Sequence, residues 1–297
     1  MTAKTKFDVY GEVTNAILDE LKKGTAPWRQ PWNHTLRMTP KKWNNEDYKG
    51  INILLLWITA ANQGFTSPRW MTFNQAKTLG GNVRKGQKSA MSIKYGVFER
   101  TNKDDNSVET IPFAKSYRVF NANQIDDLPD EFYDIQTYAQ HEGNNARIDH
   151  WLNTRQAQFH IHKKSEAYYH PKTDIIHIPN SALFKVPEQY YTRVFHELVH
   201  WTGHSSRLAR LDETGQVLTK AGDALEELIA ELGACMMAAR LGIQPEFDQS
   251  AAYMQSWIDE LNGDKRAIFR AAAAAQAAVD MVKTEDAFPL IQENQAA

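Results

Sequence analysis

The stretch Val194-Phe-His-Glu-Leu-Val-His200 decides the fold predicted for this chain. It places His196 and His200 four residues apart in a segment whose apolar residues have helical spacing. Positions i and i+4 differ by about 40° around an α-helix, so both imidazoles project from one side and can share a cation. Glu197 follows the first imidazole, where its carboxylate can take a proton from an attacking water. We therefore predict a helix that carries a metal centre, with His196 and His200 as ligands and Glu197 as general base.

The composition restricts the metal and its ligands. Cys235 is the one cysteine, so a disulfide within the chain is excluded, a reducing compartment fits, and the ligands must be histidines and carboxylates. Neutral imidazole suits Zn²⁺, and a catalytic zinc needs three protein ligands and one open position. We expect Zn²⁺, with Mn²⁺ as the alternative cation. A helix with two histidines and no metal is the other interpretation, but three ionisable groups among apolar residues are costly unless they coordinate something.

The third ligand is expected in the strip Ala224-Leu-Glu-Glu-Leu-Ile-Ala-Glu-Leu-Gly-Ala234. Glu227 and Glu231 are four residues apart and share a helix face. We assign Glu227 as the ligand and Glu231 as the acceptor behind a ligand imidazole, with the reverse assignment open. Glu226 lies off that face and is expected in solvent or in an ion pair. His204 competes as third ligand, although Thr202-Gly203 is expected to end the helix before it.

The residues before the metal helix predict strands. Zinc proteases hold a substrate as an added strand along a sheet edge, and residues 174–179 could supply that edge or form an ordinary edge strand. No pair of the nearby histidines has helical ligand spacing, so we interpret them as structural or surface groups. They are His160, His162, His170 and His177.

Length and hydropathy indicate a globular protein without a membrane partner. The 297 residues are 42% hydrophobic and 24% charged. No apolar run approaches the roughly 20 residues of a membrane span, and no basic segment followed by an apolar stretch opens the sequence. We expect a cytoplasmic location.

Charge is divided unequally along the chain and suggests a nucleic-acid partner. Residues 1–125 hold 19 Lys and Arg against 10 Asp and Glu, whereas residues 126–297 hold 15 against 26. Cations interleaved with aromatic rings are typical of single-strand binding, because cations neutralise phosphates and rings stack on unpaired bases. Trp28 and Trp32, flanked by prolines, are the preferred stacking residues, although tryptophans are more often core residues. The candidate contacts are Trp28, Arg29, Trp32, Lys41, Lys42, Tyr48, Arg69, Trp70, Arg84, Lys85 and Lys88.

The order of predicted elements gives an α+β fold in two domains. An acidic stretch without a clear period places the boundary near residue 135, with domains at 1–135 and 136–284 and a frayed tail at 285–297. The predicted helices are Asp8–Lys23, Ile51–Asn62, Thr72–Leu79, Arg147–Thr154, Pro187–Trp201, Ala221–Leu241, Ser250–Leu261 and Asp264–Lys283, and the predicted strands lie in Ser89–Arg100, Ile111–Phe120, Gln158–Lys163 and Ala167–Pro179.

Several motifs together resemble the ArdC family of plasmid-encoded antirestriction proteins, over nearly the whole chain. They are Gly24-Thr-Ala-Pro-Trp-Arg-Gln-Pro-Trp32, Tyr48-Lys-Gly-Ile-Asn52, Trp70-Met-Thr-Phe-Asn-Gln-Ala-Lys77, Gly80-Gly-Asn-Val-Arg-Lys-Gly86, His196-Glu-Leu-Val-His-Trp-Thr-Gly-His204 and Glu226-Glu-Leu-Ile-Ala-Glu231. The resemblance implies an N-terminal domain that binds single-stranded DNA and a C-terminal zincin-like metallopeptidase domain with a motif related to SprT-like proteases.

The same resemblance implies a biological role. It implies a bacterial protein of a conjugative plasmid, expressed in or transferred to the recipient cell, that protects incoming DNA from restriction enzymes. We expect a DNA-associated protein as the peptidase substrate, presented by DNA across a flexible join between the domains. Two alternatives stay open: a DNA-coating shield whose metal site is structural or dispensable, and a protease that matures plasmid or DNA-bound proteins.

Overall fold

The computed structural model describes residues 8–29, 38–101, 108–133, 144–212, 214–218, 222–247 and 251–287. The helices in these ranges are α1 (Val9–Lys22), α2 (Ile51–Gln63), α3 (Phe73–Thr78), α4 (Asn144–Asn153), α5 (Pro187–Thr202), α6 (Gly222–Leu241), α7 (Ala251–Gly263) and α8 (Ala267–Val282). The strands are β1 (Lys41–Lys42), β2 (Arg69–Met71), β3 (Asn82–Val83), β4 (Ala90–Thr101), β5 (Val108–Asn121), β6 (Ile125–Asp126), β7 (Gln158–His162), β8 (Tyr168–His170) and β9 (Ile175–Pro179). The α+β class predicted from the sequence is confirmed. None of the described helices is both long and apolar enough to cross a bilayer.

The N-terminal part is built around one long antiparallel hairpin. Strands β4 and β5 pair from Ala90↔Val119 to Thr101↔Val108. β2 pairs antiparallel with β5, and β1 adds in parallel to β2, so the sheet order is β1-β2-β5-β4. A buried amide fixes α2 to this sheet, because Asn52 Nδ2 donates to the Ile93 carbonyl and Asn52 Oδ1 accepts from the Ile93 amide.

The C-terminal part packs helices on a three-stranded sheet of order β7-β9-β8. β7 and β9 are parallel, and β8 is antiparallel to β9. The side chains of β9 alternate, as expected for a sheet covered on one face. Ile176 and Ile178 are buried in the main core beneath α5, and His177 between them faces the other side.

A glycine allows α6 to approach α5 closely. A Cβ atom at Gly233 would lie 2.6 Å from Val199 Cγ2, which is closer than two carbon atoms can pack. The close approach sets the separation of the two helices that carry the predicted metal ligands.

The two parts share one core. Buried side chains of α1 and α2 belong to the same cluster as those of α5, α6, α7 and α8. The expected flexible join is therefore wrong for the described residues, because apolar packing holds both parts together. The proposed boundary at residue 135 lies outside the described residues. The predicted frayed tail, residues 285–297, is wrong at residues 285–287, since residues 284–287 form a 3-10 helix in which Thr284 and Ala287 are buried.

Candidate metal centre

Three side chains converge where α5 crosses α6. The Nε2 atoms of His196 and His200 lie 3.2 Å apart. Glu227 of α6 places Oε2 3.5 Å from His196 Nε2 and Oε1 3.5 Å from His200 Nε2. In the described part of the chain, this trio is the group of His, Cys and carboxylate side chains whose donor atoms all lie within 4.8 Å of one another.

These separations suit a shared divalent cation. Ligand atoms bound at about 2.1 Å in a tetrahedral arrangement lie roughly 3.4 Å from each other, which is close to the three distances found here. Two imidazoles and one carboxylate are also a donor set typical of catalytic zinc, and Mn²⁺ accepts the same donors. The residues therefore fit the metal that the sequence predicts.

Glu226 fixes the orientation of His200. Its Oε1 lies 3.2 Å from His200 Nδ1, and Arg210 donates to both carboxylate oxygens, from Nε at 2.9 Å and from Nη2 at 3.0 Å. Glu226 and Arg210 are both buried. Glu226 thus forms the expected ion pair, but it also takes the position behind a ligand imidazole that the sequence analysis had given to Glu231.

Two of these three side chains, His200 and Glu227, have shifted pKa values. Burial opposes the charged form of His200, but hydrogen bonds to Glu226 and Glu227 outweigh it and raise the pKa of His200 to about 10. Burial likewise opposes the charged form of Glu227, but hydrogen bonds to His196 and His200 hold the pKa of Glu227 well below its usual range. In the protein without metal, these shifts favour a protonated His200 between the ionised carboxylates of Glu226 and Glu227.

Glu197 lies on the wall of a cleft next to the trio. The cleft has a volume of about 840 Å³, and His196, His200 and Glu227 line it together with Glu197. Glu197 is 7% exposed. Strand β8 forms part of the same wall through Tyr168 and Tyr169. A carboxylate beside three metal-ligand donors in a cleft of this volume is an arrangement in which a metal-activated water could be deprotonated.

Glu231 joins the N-terminal segment to this cleft. Trp28 Nε1 donates to Glu231 Oε1 at 2.5 Å, and Arg29 donates from Nε to Oε1 and from Nη2 to Oε2, both at 2.5 Å. The Arg29 guanidinium also lies over the rings of Phe247 and Trp257. The prediction that Glu231 accepts from a ligand imidazole is wrong, since these N-terminal donors occupy its carboxylate.

Two other predictions about the cleft need correction. His204 lies beyond the end of α5 and outside the trio, and its Nδ1 lies 2.8 Å from Ser206 Oγ. The strand expected as a substrate edge, β9, is the central strand and is paired on both sides. Among the described strands, β7 and β8 are the edges of this sheet, and β8 is the one that lines the cleft.

The rings expected to stack on bases are mostly in the core. Trp28 is 1% exposed, and Tyr48 and Trp70 are also buried. An unpaired base cannot reach these rings as they lie here. Trp28 is buried because its loop turns inward to meet Trp257 and Glu231. Trp32 lies outside the described residues.

Several of the predicted cationic contacts already have partners. Lys41 pairs with Asp47, Lys42 with Glu46, and Arg84 with Asp126. Arg69 lies over the ring of Phe132. Lys85 and Lys88, in contrast, are exposed. Within the described ranges, no carboxylate lies within ion-pair distance of either one.

The hairpin adds cations that the sequence analysis missed. Lys94 of β4 is directly opposite Lys115 of β5, and both are exposed. Like charges opposite each other destabilise a strand pair, and no described carboxylate pairs with either lysine. The sequence places Lys94 and Lys115 in two predicted strands, but it does not reveal the strand register that brings these two lysines together.

Comparisons with known proteins place this geometry in a family. Residues 146–274 match the family described as zincin-like metallopeptidase, and residues 7–120 match the N-terminal domain of anti-restriction factor ArdC. The metal-free crystal structure of the antirestriction ArdC protein from plasmid R388 superposes with a TM-score of 0.80 at 43% identity, covering 95% of this chain and 98% of that one. Its Mn(II)-bound structure gives a TM-score of 0.79 at 43% identity, covering 96% and 100%.

Curated relatives include longer proteins. Two proteins named DNA primase TraC, from Escherichia coli, are each 36% identical and match 94% and 91% of this chain. The chain spans only 27% and 19% of their lengths. The uncharacterized protein y4eC of Sinorhizobium fredii (strain NBRC 101917 / NGR234) is 31% identical over 96% of this chain and 94% of its own length. With both domains matched and a solved relative covered almost end to end, this chain belongs to the ArdC family of antirestriction proteins.

Proposed function

We propose that this chain is an antirestriction protein of a conjugative plasmid that binds single-stranded DNA and hydrolyses peptide bonds at a divalent-metal site, with zinc as the metal. The observation that carries the peptidase part is the convergence of His196, His200 and Glu227 on one face of an 840 Å³ cleft beside Glu197. The substrate class is a protein bound to DNA that enters the cell. Protection of that DNA from restriction is the biological result.

The residues of the cleft have separate roles in this mechanism. His196, His200 and Glu227 would hold the metal, which supplies Lewis-acid polarisation of the scissile carbonyl. Glu197 takes a proton from the attacking water and delivers it to the leaving amine nitrogen, so the carboxylate is restored at the end of the cycle. Glu226 and Arg210 keep the His200 ring in its orientation.

Exposed lysines of the N-terminal part support DNA binding. Lys85, Lys88, Lys94 and Lys115 have no described ion-pair partner. Uncompensated cations attract a phosphate backbone and make the affinity depend on salt concentration. These lysines replace the buried tryptophans as the contacts that we propose.

Two variants separate the proposed function from its rivals. Glu197→Gln removes the base and spares the three ligands, whereas Lys94→Glu with Lys115→Glu reverses the charge of the hairpin and spares the cleft. Each is tested for protection of transferred DNA against a restricting recipient. Loss of protection in both variants supports the proposal. Protection that survives Glu197→Gln but fails with the lysine variant makes the chain a DNA-coating shield.

A third outcome would identify a maturation protease. That role predicts cleavage of plasmid or DNA-bound proteins that continues when DNA is absent. The zinc-loaded protein is incubated with proteins that bind the transferred DNA, with and without single-stranded oligonucleotide. This comparison distinguishes the maturation protease from the DNA-dependent peptidase that we propose. Our proposal requires that oligonucleotide accelerates the cleavage, because DNA brings the two proteins together.

A further inference from the structure

The outer face of the β7-β9-β8 sheet carries an unusual row of rings. Strand register places His160, His177 and Tyr168 directly opposite one another across the three strands. His162 and His170 lie two residues along from His160 and Tyr168, so they share this side of the sheet. We call these five residues the imidazole face. α5 covers the other side of the sheet, so the imidazole face points away from the core.

Tyr168, His177 and His160 form a stack of rings across the three strands, which we call the platform. The Tyr168 and His177 rings stack with centroids 4.5 Å apart and planes 9° from parallel. The His160 ring lies 5.1 Å from His177 on its other side. Tyr168 is 43% exposed, and His160 is exposed as well. Burial and the three neighbouring imidazoles lower the pKa of His177, which favours the uncharged ring that stacks on Tyr168.

Cations flank the platform inside an acidic half of the chain. Lys163 and Lys164 follow β7, and Lys172 lies in the turn between β8 and β9. All three are exposed, and none has an ion-pair partner among the described residues. Glu166 is the one exposed carboxylate in these two connections, because Asp174 is bonded to Arg207. The charge here is opposite to that of the surrounding half.

The hydrogen bonds of the rings favour an acceptor ligand over a metal ion. His162 Nδ1 accepts from the Lys164 amide at 3.2 Å, and His170 Nδ1 accepts from the Thr173 amide at 3.3 Å. A neutral imidazole that accepts at Nδ1 carries its proton at Nε2, which is then a donor rather than a metal ligand. His162 Nε2 is buried without a partner among the described residues.

We propose that the imidazole face is a second contact surface for single-stranded nucleic acid, located on the zincin-like part of the chain. Unpaired bases stack on Tyr168 and His160, and the flanking lysines neutralise phosphates. Tyr168 also lines the metal cleft. A strand held on this face passes the rim of the cleft, so a protein bound to that strand is delivered to the metal centre. This inference rests on the proposed function, since it assumes that the chain binds single strands.

The test measures oligonucleotide affinity of the full chain by fluorescence anisotropy. The probe is labelled oligothymidylate of about 20 nucleotides, longer than the roughly 4 to 16 nucleotides that one binding fold covers. Tyr168→Ala is expected to weaken binding at least about fivefold, because one stacked base is lost, whereas Tyr168→Phe keeps the ring and binds like the parent. Equal affinity of both Tyr168 variants and the parent overturns the inference.

A second pair of variants isolates the lysines. Lys163→Glu with Lys164→Glu is compared with Lys22→Glu and Lys283→Glu, two exposed lysines away from the sheet that give the same change in net charge. Weaker binding and a shallower salt dependence only in the first pair support the inference. Equal losses of affinity in both pairs of variants would mean that only net charge matters, and they would overturn the inference. A difference in affinity between the two pairs that appears only when zinc is added would overturn it as well.

Photo-crosslinking separates failure of this inference from failure of the proposed function. An oligonucleotide carrying 5-iodouracil is irradiated on the parent chain, and the crosslinked peptides are identified by mass spectrometry. Crosslinks at Tyr168 or His160 support the second surface. Crosslinks confined to the hairpin of β4 and β5 overturn it but leave the proposed function standing. A parent chain that binds no oligonucleotide rejects both.

Discussion

Glu226 holds His200 from the side opposite the metal centre, with Oε1 3.2 Å from His200 Nδ1. The Arg210 guanidinium fixes the same carboxylate through two hydrogen bonds. A ligand imidazole that donates to a fixed carboxylate keeps one ring orientation and becomes a stronger base. Metal affinity in this protein should therefore depend on a residue that does not touch the metal.

We predict that Glu226→Gln lowers zinc affinity by roughly 10- to 100-fold, because a neutral amide orients His200 less well and leaves Arg210 without a countercharge. Competition with a chromophoric chelator measures the affinity. Asp19→Asn is the matched control, since Asp19 is an exposed carboxylate on α1 and does not line the cleft. Equal affinity of both variants and the parent would remove Glu226 from the centre.

The sequence predicted the trio because its spacing is local. His196 and His200 share one helix face whatever surrounds them, and Glu227 is in a helix that could be recognised from its apolar period. Glu226 could not be assigned, because its partner Arg210 lies in an irregular segment whose path no periodicity predicts. The prediction that Trp28 stacks on bases is wrong because its loop is irregular too, and no periodicity predicts its path. A proline-flanked tryptophan looks exposed until the fold supplies Trp257 and Glu231 to bury it.

Strand register was the other feature that could not be predicted from the sequence. Helix α1 was predicted within one residue at each end, and the hairpin of β4 and β5 was found from alternation. The pairs Lys94↔Lys115 and His160↔His177 depend on which residues lie opposite each other. That register depends on the geometry of the connecting loops and on which strand faces the fold buries, so the cross-strand clusters become visible only in the fold.

The close packing of α5 and α6 can be tested at Gly233. We predict that Gly233→Ala destabilises the fold by roughly 1 to 3 kcal/mol, because the added methyl overlaps Val199. Urea denaturation measures the change. Gly263→Ala is the control, since nothing lies within 4 Å of its position, and it should leave stability unchanged or slightly raised. Val199→Ala should recover part of the loss in Gly233→Ala, and additive effects would contradict the close contact.

The raised pKa of His200 predicts how metal binding depends on pH. Burial alone would lower this pKa, but the hydrogen bonds to Glu226 and Glu227 raise it to about 10 from the ordinary 6.5. In the metal-free protein, the charged ring stabilises the fold fully below pH 6.5, and this contribution is lost as the pH rises through about 10. Zinc must displace that proton, so zinc affinity should fall as the pH is lowered from 9 to 6. Binding of one metal ion should release about one proton. Calorimetry in buffers of different ionisation enthalpy counts the protons, and a count of zero at pH 7.5 would refute the assignment.

Removing one partner of the ion pair between Arg29 and Glu231 should lower stability. Arg29→Ala leaves the Glu231 carboxylate buried, with the Trp28 indole as its one remaining donor among the described residues. We predict a loss of roughly 3 to 5 kcal/mol in the free energy of unfolding, as for other buried pairs broken on one side. Combining Arg29→Met with Glu231→Gln removes both charges and should recover part of this loss. A double variant no more stable than Arg29→Ala would show that the ion pair is not what joins the N-terminal segment to α6.

The hairpin lysines should affect stability and DNA affinity in opposite directions. Lys115→Glu replaces the repulsion with Lys94 by attraction across the strand pair. We predict a gain of roughly 0.2 to 1 kcal/mol in the free energy of unfolding together with weaker single-strand binding and a smaller salt dependence. Lys22→Glu makes the same charge change on α1 and should alter neither property in this way. A gain in stability together with a loss of DNA affinity is expected if the two lysines serve to bind a polyanion. If Lys115 served folding instead, Lys115→Glu would lower the stability as well as the DNA affinity. Thermal melts measure the change in stability, and anisotropy titrations on the same preparations measure the change in DNA affinity.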